Sequence, residues 1–175
     1  LDLGGVAKGF ALDLATEALR DAGVTSALLH GGSSTVVAIG SPPDAGAWCV
    51  ALEGLSEASS PPPVARLRDR AMSVSSQQSD RPGHVIDPST GVSAQAATWA
   101  ACIGRSAEAT DAWATALIVL GNRPTAMPRS LTSVLRHQQG TTLASGERIN
   151  GWFAVGPDAE CVTAGQTRQN DGEHG

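Results

Sequence analysis

No stretch of this 175-residue sequence reaches the ~18 consecutive apolar residues that a helix needs to cross a bilayer, which excludes a transmembrane span. Basic residues are few. Lys+Arg number 12 against Asp+Glu 17, a formal net charge of −5, so a broad basic surface for tracking nucleic acid is excluded, whereas local capture of a small anion is not. Cysteine is limited to Cys49, Cys102 and Cys161, an odd count without paired spacing, which argues against a disulfide framework and a zinc knuckle. Buried small hydrophobes are the expected role for all three. An initiating methionine is missing too: Leu1-Asp2-Leu3-Gly4-Gly5 shows neither a basic n-region nor a cleavage-site pattern. The expectation is a fragment of a longer product, with no compartment legible from a targeting signal. What is present, 41% hydrophobic residues over this length, suits one soluble domain with a real core.

Periodicity gives the coarse order of elements. A glycine-rich turn over Gly4-Gly5-Val6-Ala7-Lys8-Gly9 leads into a helix over Phe10 to Ala22, with Gly23 as its stop. Strands are expected over Ser26 to His30, Val36 to Ile39, Trp48 to Leu52, Ala71 to Ser75 and Ala96 to Ile103, with hairpin turns among the first of them. The segment Glu53 to Arg70, with its Ser59-Ser60-Pro61-Pro62-Pro63 run, reads as a surface loop. A second helix follows Ser106, a fitting N-cap, and ends at Gly121. Ser130 to His137 is expected as a short amphipathic helical turn, Trp152 to Val155 and Cys161 to Thr163 as closing strands, and Ala164 to Gly175 as a disordered polar tail.

Three constellations carry chemistry. Asp111 and Thr115 lie four apart on the second helix and present two hard oxygens on one side, a fair pair of Mg²⁺ ligands, although such an Asp is also an ordinary partner of the helix dipole. Gly4-Gly5-Val6-Ala7-Lys8-Gly9 before a helix suits a phosphate cradle, with backbone N–H groups and one cation converging, or simply a tight turn. Gly83-His84-Val85-Ile86-Asp87-Pro88-Ser89-Thr90-Gly91 places an imidazole near a strand end, with His84 and Ile86 sharing one face of a short strand that the Asp87-Pro88 turn stops. His84 is thus a candidate general base. Ser73 and Ser75, alternating on one strand, and Gly31-Gly32 at a strand end suit either ligand contacts or a sheet edge.

The order and spacing of these segments resemble the FAD:protein FMN transferase family, also called the ApbE family. The run Asp2 to Asp13, then Gly31-Gly32, Ser73-Val74-Ser75, the His84 motif and Ala109-Thr110-Asp111-Ala112-Trp113-Ala114-Thr115-Ala116 carry the resemblance, which covers nearly the whole chain except its tail. It implies an α+β fold of mixed or antiparallel sheets with packed helices, T-fold-like, lacking an N-terminal part. Residues 1–163 would be the C-terminal part of the transferase domain, and 164–175 the tail. The family cleaves the FAD pyrophosphate with Mg²⁺ and moves FMN onto a Ser or Thr hydroxyl of an acceptor flavoprotein, releasing AMP.

Carried over by position, the resemblance makes Asp111 and Thr115 metal ligands together with a backbone carbonyl of the glycine turn, that of Gly5. Gly4, Gly5, Lys8, Gly31, Gly32, Ser73, Ser75 and Thr90 would contact FAD. His84 would be the base for the acceptor hydroxyl, with Asp87 as its orienter or a turn former. Family members are often periplasmic or anchored on the outer face of the bacterial inner membrane; membrane association here would run through the missing N-terminal anchor. Two departures stand out: Ser33-Ser34 follows the glycine pair in place of an acidic residue, and the complete absence of tyrosine leaves flavin stacking to tryptophan or to the missing part. A Mg²⁺-dependent FAD pyrophosphatase, with water as the nucleophile, and a flavin-binding module without turnover are the alternative functions. A plain α+β domain without a small-molecule site is the bland one.

Overall fold

The computed structural model describes residues 2–52, 62–77 and 83–137, and the backbone of three short strands at 147–149, 152–154 and 161–162. It is an α+β fold built on a five-stranded antiparallel sheet. In chain order the elements are α1 (Ala7–Asp21), β1 (Ala27–Gly31), β2 (Thr35–Ile39), β3 (Trp48–Ala51), β4 (Val64–Leu67), β5 (Arg70–Ser76), β6 (Trp99–Gly104), α2 (Ala107–Leu120), β7 (Thr132–Arg136), β8 (Glu147–Ile149), β9 (Trp152–Ala154) and β10 (Cys161–Val162). The main sheet runs β1-β2-β5-β6-β7, a smaller one β10-β4-β3, and β8 pairs with β9. Among the described residues no helix is long and apolar enough to cross a membrane.

The two-residue period of the strands decides the layering, since alternate side chains point to opposite faces. Val36, Ala38, Met72, Trp99, Ala101 and Val134 send one face of the main sheet against Ala65 and Leu67 of the smaller sheet and Leu52 just after β3. Ala100, Cys102 and Leu135, one residue out of phase, pack with Ala114, Leu117 and Ile118 of α2. Val37 and Ala71 meet Leu12 of α1 and Ala107. Both helices therefore cover the same face, and they touch each other. Their approach is close enough that a Cβ on Gly9 would overlap the Ala107 carbonyl, so glycine is required there for packing.

A carboxylate joins the same two helices. Asp13 of α1 accepts from Ser106 Oγ at 2.8 Å and from the backbone N–H groups of Ala107 at 2.8 Å and Glu108 at 3.0 Å. Donors at a helix start have no intrahelical partners, and an anion there is doubly favourable. Ser106 is the N-cap, its Oγ accepting from Ala109 N–H, and Gly121 closes α2 in the left-handed conformation at φ 66°.

Most expected strands agree with the structure to within a residue or two, including the β1/β2 hairpin and the closing strands at 152 and 161. Five expectations change. The segment 130–137 is not helical: β7 pairs with β6, because Val134 and Leu135 each find an apolar layer on opposite sides of the sheet. Strand β4 lies within what read as loop, and the strand expected from Ala96 starts at Trp99. The His84 segment forms no strand, only one bridge between Ile86 and Ser93, although His84 and Ile86 are both exposed and Val85 between them is buried. Cys49 is exposed while Cys102 is buried. The Cys161 side chain and the 164–175 tail lie outside the described residues.

Burial pushes the Cys102 thiol up to about 12, with the Arg123 charge opposing weakly. An exposed thiol ionises near 9.0, so the folded state holds its proton longer, and the stability this contributes is complete below that value and lost as pH rises toward 12. Urea unfolding at rising pH should show this decline, and it should be shallower in Cys102→Ala. In the same assay Gly9→Ala should lower the unfolding free energy by about 1–3 kcal/mol through overpacking.

Candidate functional site

Asp111 sits on the second turn of α2 and is 2% exposed. A carboxylate removed from water to that degree needs partners. They come from two other elements: Gly9 N–H of α1 donates to Oδ2 at 3.1 Å, Thr35 Oγ1 of β2 donates to Oδ1 at 3.4 Å, and Lys8 Nζ of α1 lies 3.3 Å from Oδ1. Lys8 also donates to the Gly4 carbonyl at 3.2 Å. The turn before α1 is held by Asp2 Oδ1, which accepts from Gly4 N–H at 2.7 Å, and by the Leu3 carbonyl, which accepts from Val6 and Ala7.

One turn on, Thr115 Oγ1 lies 3.1 Å from Ser75 Oγ of β5 and donates to the Asp111 carbonyl at 3.3 Å. Gly5 packs directly on it: a Cβ at Gly5 would stand 3.3 Å from Thr115 Oγ1. The glycine turn and the Asp111 and Thr115 side chains of α2 thus form a small cradle that a side chain at position 5 would crowd. Among the described residues no group of three His, Cys, Asp or Glu side chains gathers to hold a metal. A single carboxylate with a hydroxyl and a carbonyl is a partial set, of the kind that suits a cation completing its shell with water or a phosphate oxygen.

The cradle opens into a cleft of about 1490 Å³, and His84 lines the same cleft. Its ring makes no hydrogen bond among the described residues. Gly4, Gly5, Lys8, Ser75, His84, Asp111 and Thr115, all read from sequence, meet there. The other expected site residues do not line it. Ser73 is fully buried, its hydroxyl 2.9 Å from Thr110 Oγ1. Gly31 and Gly32 turn the β1/β2 hairpin, and their successors Ser33 and Ser34 line the cleft instead. Asp87 holds its own turn, Oδ1 accepting from Ser89 Oγ at 2.7 Å and Ser89 N–H at 2.8 Å, and those bonds, side chain first, keep its carboxyl below the ordinary range. Thr90 belongs to the same turn. Of Asp87's two expected roles, the turn former is the one with bonds to show.

Sequence reasoning passed over Gln77, Thr98, Trp99, Arg136 and His137, which also line the cleft. Gln77 had a readable signal, since it continues the i, i+2 spacing of Ser73 and Ser75. His137 is placed by its ring Nδ1, 2.8 Å from the Ala96 carbonyl, a contact no local pattern announces.

A family model described as the ApbE family matches residues 1–134. The chain belongs to the ApbE family. Its fold is similar to the flavin transferase ApbE from Vibrio cholerae, with a TM-score of 0.62 at 19% identity over 89% of this chain and 50% of that one. It is similar as well to the apo form of the Pseudomonas stutzeri flavinyl transferase ApbE, at a TM-score of 0.61, 25% identity and 89% and 48% coverage. An ApbE protein from Thermotoga maritima gives 0.63, 23%, and 79% and 52%. The chain spans about half the length of these ApbE structures. No protein with a curated description matches it.

Because Asp111 ties α1, α2 and β2 together, its removal should cost stability as well as chemistry. Asp111→Ala should lower the unfolding free energy by about 2–3 kcal/mol, for the unsatisfied Gly9 N–H and the lost Lys8 and Thr35 contacts, and Asp111→Asn by less than half as much. Guanidinium titration of both variants checks the order.

Proposed function

We propose that this cleft transfers FMN from FAD to a Ser or Thr hydroxyl of an acceptor flavoprotein with the help of Mg²⁺, releasing AMP. The observation that carries the reading is the convergence, in one cleft, of the Asp111 and Thr115 oxygens beside Gly5, the Lys8 cation and the His84 imidazole, which makes no hydrogen bond among the described residues, all brought from distant parts of the chain. Membership of the ApbE family and the likeness to flavin transferases support it.

Each residue has a task set by its chemistry. Asp111 and Thr115, with the Gly5 carbonyl, would hold Mg²⁺; the cradle that a Cβ at Gly5 would crowd and the cation already drawn to Asp111 Oδ1 favour that fit. When bound, the ion supplies charge neutralisation and orientation to a pyrophosphate. Lys8, half in solvent, stands beside the α1 N-terminus, where N–H groups and the dipole favour phosphate oxygens. His84 would take the proton of the acceptor hydroxyl. The oxygen then bonds to the FMN phosphorus, the bond to the AMP phosphate breaks, and AMP leaves with the electron pair. That transfer needs the imidazole within about 2.6–3.2 Å of the hydroxyl.

The test incubates the chain with FAD, Mg²⁺ and a flavoprotein acceptor subunit, and reads AMP by chromatography and protein-bound flavin by in-gel fluorescence. Covalent flavin with equimolar AMP is expected, and AMP with only free FMN would mark a hydrolase instead. Asp111→Asn should abolish the Mg²⁺ dependence, and His84→Ala should slow transfer by about 10²–10⁴-fold. Undiminished AMP release from Asp111→Asn would overturn the reading.

A further inference from the structure

Among the described residues no hydrogen bond holds the His84 ring, so its place in the cleft rests on the backbone that carries it. That backbone is a narrow loop: Ala94 N–H donates to the Val85 carbonyl at 2.9 Å, Asp87 N–H to the Val92 carbonyl at 2.8 Å, and Ile86 bridges Ser93. Asp87 closes its tip and spends its carboxylate on Ser89. At its root, the two sides meet one side chain from the sheet. Gln77 Nε2 donates to the Val85 carbonyl at 3.2 Å and to the Ala94 carbonyl at 3.0 Å. Both partners are acceptors, so only the amide nitrogen can face them, and its two hydrogens are both used.

Gln77 is itself held, its N–H donating to the Thr98 carbonyl at 2.8 Å and carrying the β5–β6 pairing one step past Ser76. It also shares a face of β5 with Ser75, whose hydroxyl meets Thr115. One strand therefore registers both halves of the site two residues apart: Ser75 sets the helix bearing Asp111 and Thr115, and Gln77 sets the loop bearing His84. We infer that Gln77 is a positioning residue for His84, clasping both sides of its loop so that the imidazole stands at a defined place opposite the Asp111–Thr115 cradle. The inference rests on the transfer reading for what His84 does, and on the hydrogen bonds alone for where it stands.

Two variants test it in the full chain. Gln77→Met removes both donors, and Gln77→Glu keeps the shape while setting a carboxylate against two carbonyl oxygens. In isotope-labelled protein, amide exchange at Asp87 and Ala94 should rise by about tenfold or more in each variant as those bonds loosen. The His84 Cε1–H resonance should shift or broaden, while exchange at Leu117 in α2 stays unchanged. In the FMN-transfer assay kcat should fall by about tenfold with KM for FAD within about twofold, the pattern of a misplaced base and not of lost binding. Unchanged exchange and an unchanged His84 resonance in both variants would overturn the inference, as would a loosened loop with undiminished kcat. If the parent chain moves no FMN, the transfer reading falls, and the clasp is judged on exchange and the His84 resonance alone.

Discussion

The enclosed carboxylate of Asp111 is the constraint on which the rest of the site depends. Placed 2% exposed on α2, it needs donors brought to it in place of water, and they are Gly9 and Lys8 of α1 and Thr35 of β2. Satisfying it therefore forces α1 against α2, which in turn demands glycine at position 9, where any Cβ would meet the Ala107 backbone. Asp13 repeats the logic one turn further along α1 by capping the start of α2. The interior of this protein is thus fastened by two carboxylates from opposite helices. The glycine turn that leads α1 is delivered to Thr115 as a by-product of that fastening.

A second device is a polar line along one face of β5. Ser73, Ser75 and Gln77 stand at alternate positions; the two serines engage Thr110 and Thr115 of α2, and Gln77 engages the root of the His84 loop. In a central strand such positions would ordinarily carry apolar side chains. Here the hydroxyls and the amide give α2 and the loop a fixed register relative to each other, which apolar contacts, being non-directional, do not impose. The layer of Ala100, Cys102, Leu117 and Ile118 beside them supplies the burial.

The two helices, the early hairpin and the N- and C-caps of α2 were legible because their signals are local. Ser106 three residues before Ala109, Gly121 after Leu120, and apolar residues at helical spacing are all readable within a few positions. The segment 130–137 was misread because Leu-Thr-Ser-Val-Leu is ambiguous in isolation: pairing with β6 and apolar layers on both sides made it a strand. Strand β4 was missed beside a proline-rich run, since that run separates it from β3 and its other partner, β10, lies far away in sequence. For the site, Gly4, Gly5, Lys8, His84 and the Asp111/Thr115 pair come together in one cleft, whereas Ser73, Thr90 and Gly31-Gly32, their neighbours in the same motifs, lie outside its lining.

By itself, the sequence determined which chemical groups are available and the order in which they occur: one lysine beside a glycine turn, one imidazole before Asp-Pro, one carboxylate four residues before a threonine. Those are properties of neighbours, set by spacing and backbone preference over a few residues. Only the tertiary structure decided which oxygens are spent inside the fold and which face the cleft, since a hydroxyl's or carboxylate's role depends on what long-range pairing brings within about 3 Å of it. Thr110 meets Ser73 inside the fold and Asp87 is spent on its own turn, while Thr115, one helical turn beyond Asp111 and bonded to Ser75, stands beside Gly5 on the cleft. The same long-range pairing put Gln77, a polar residue with no motif around it, at the root of the His84 loop.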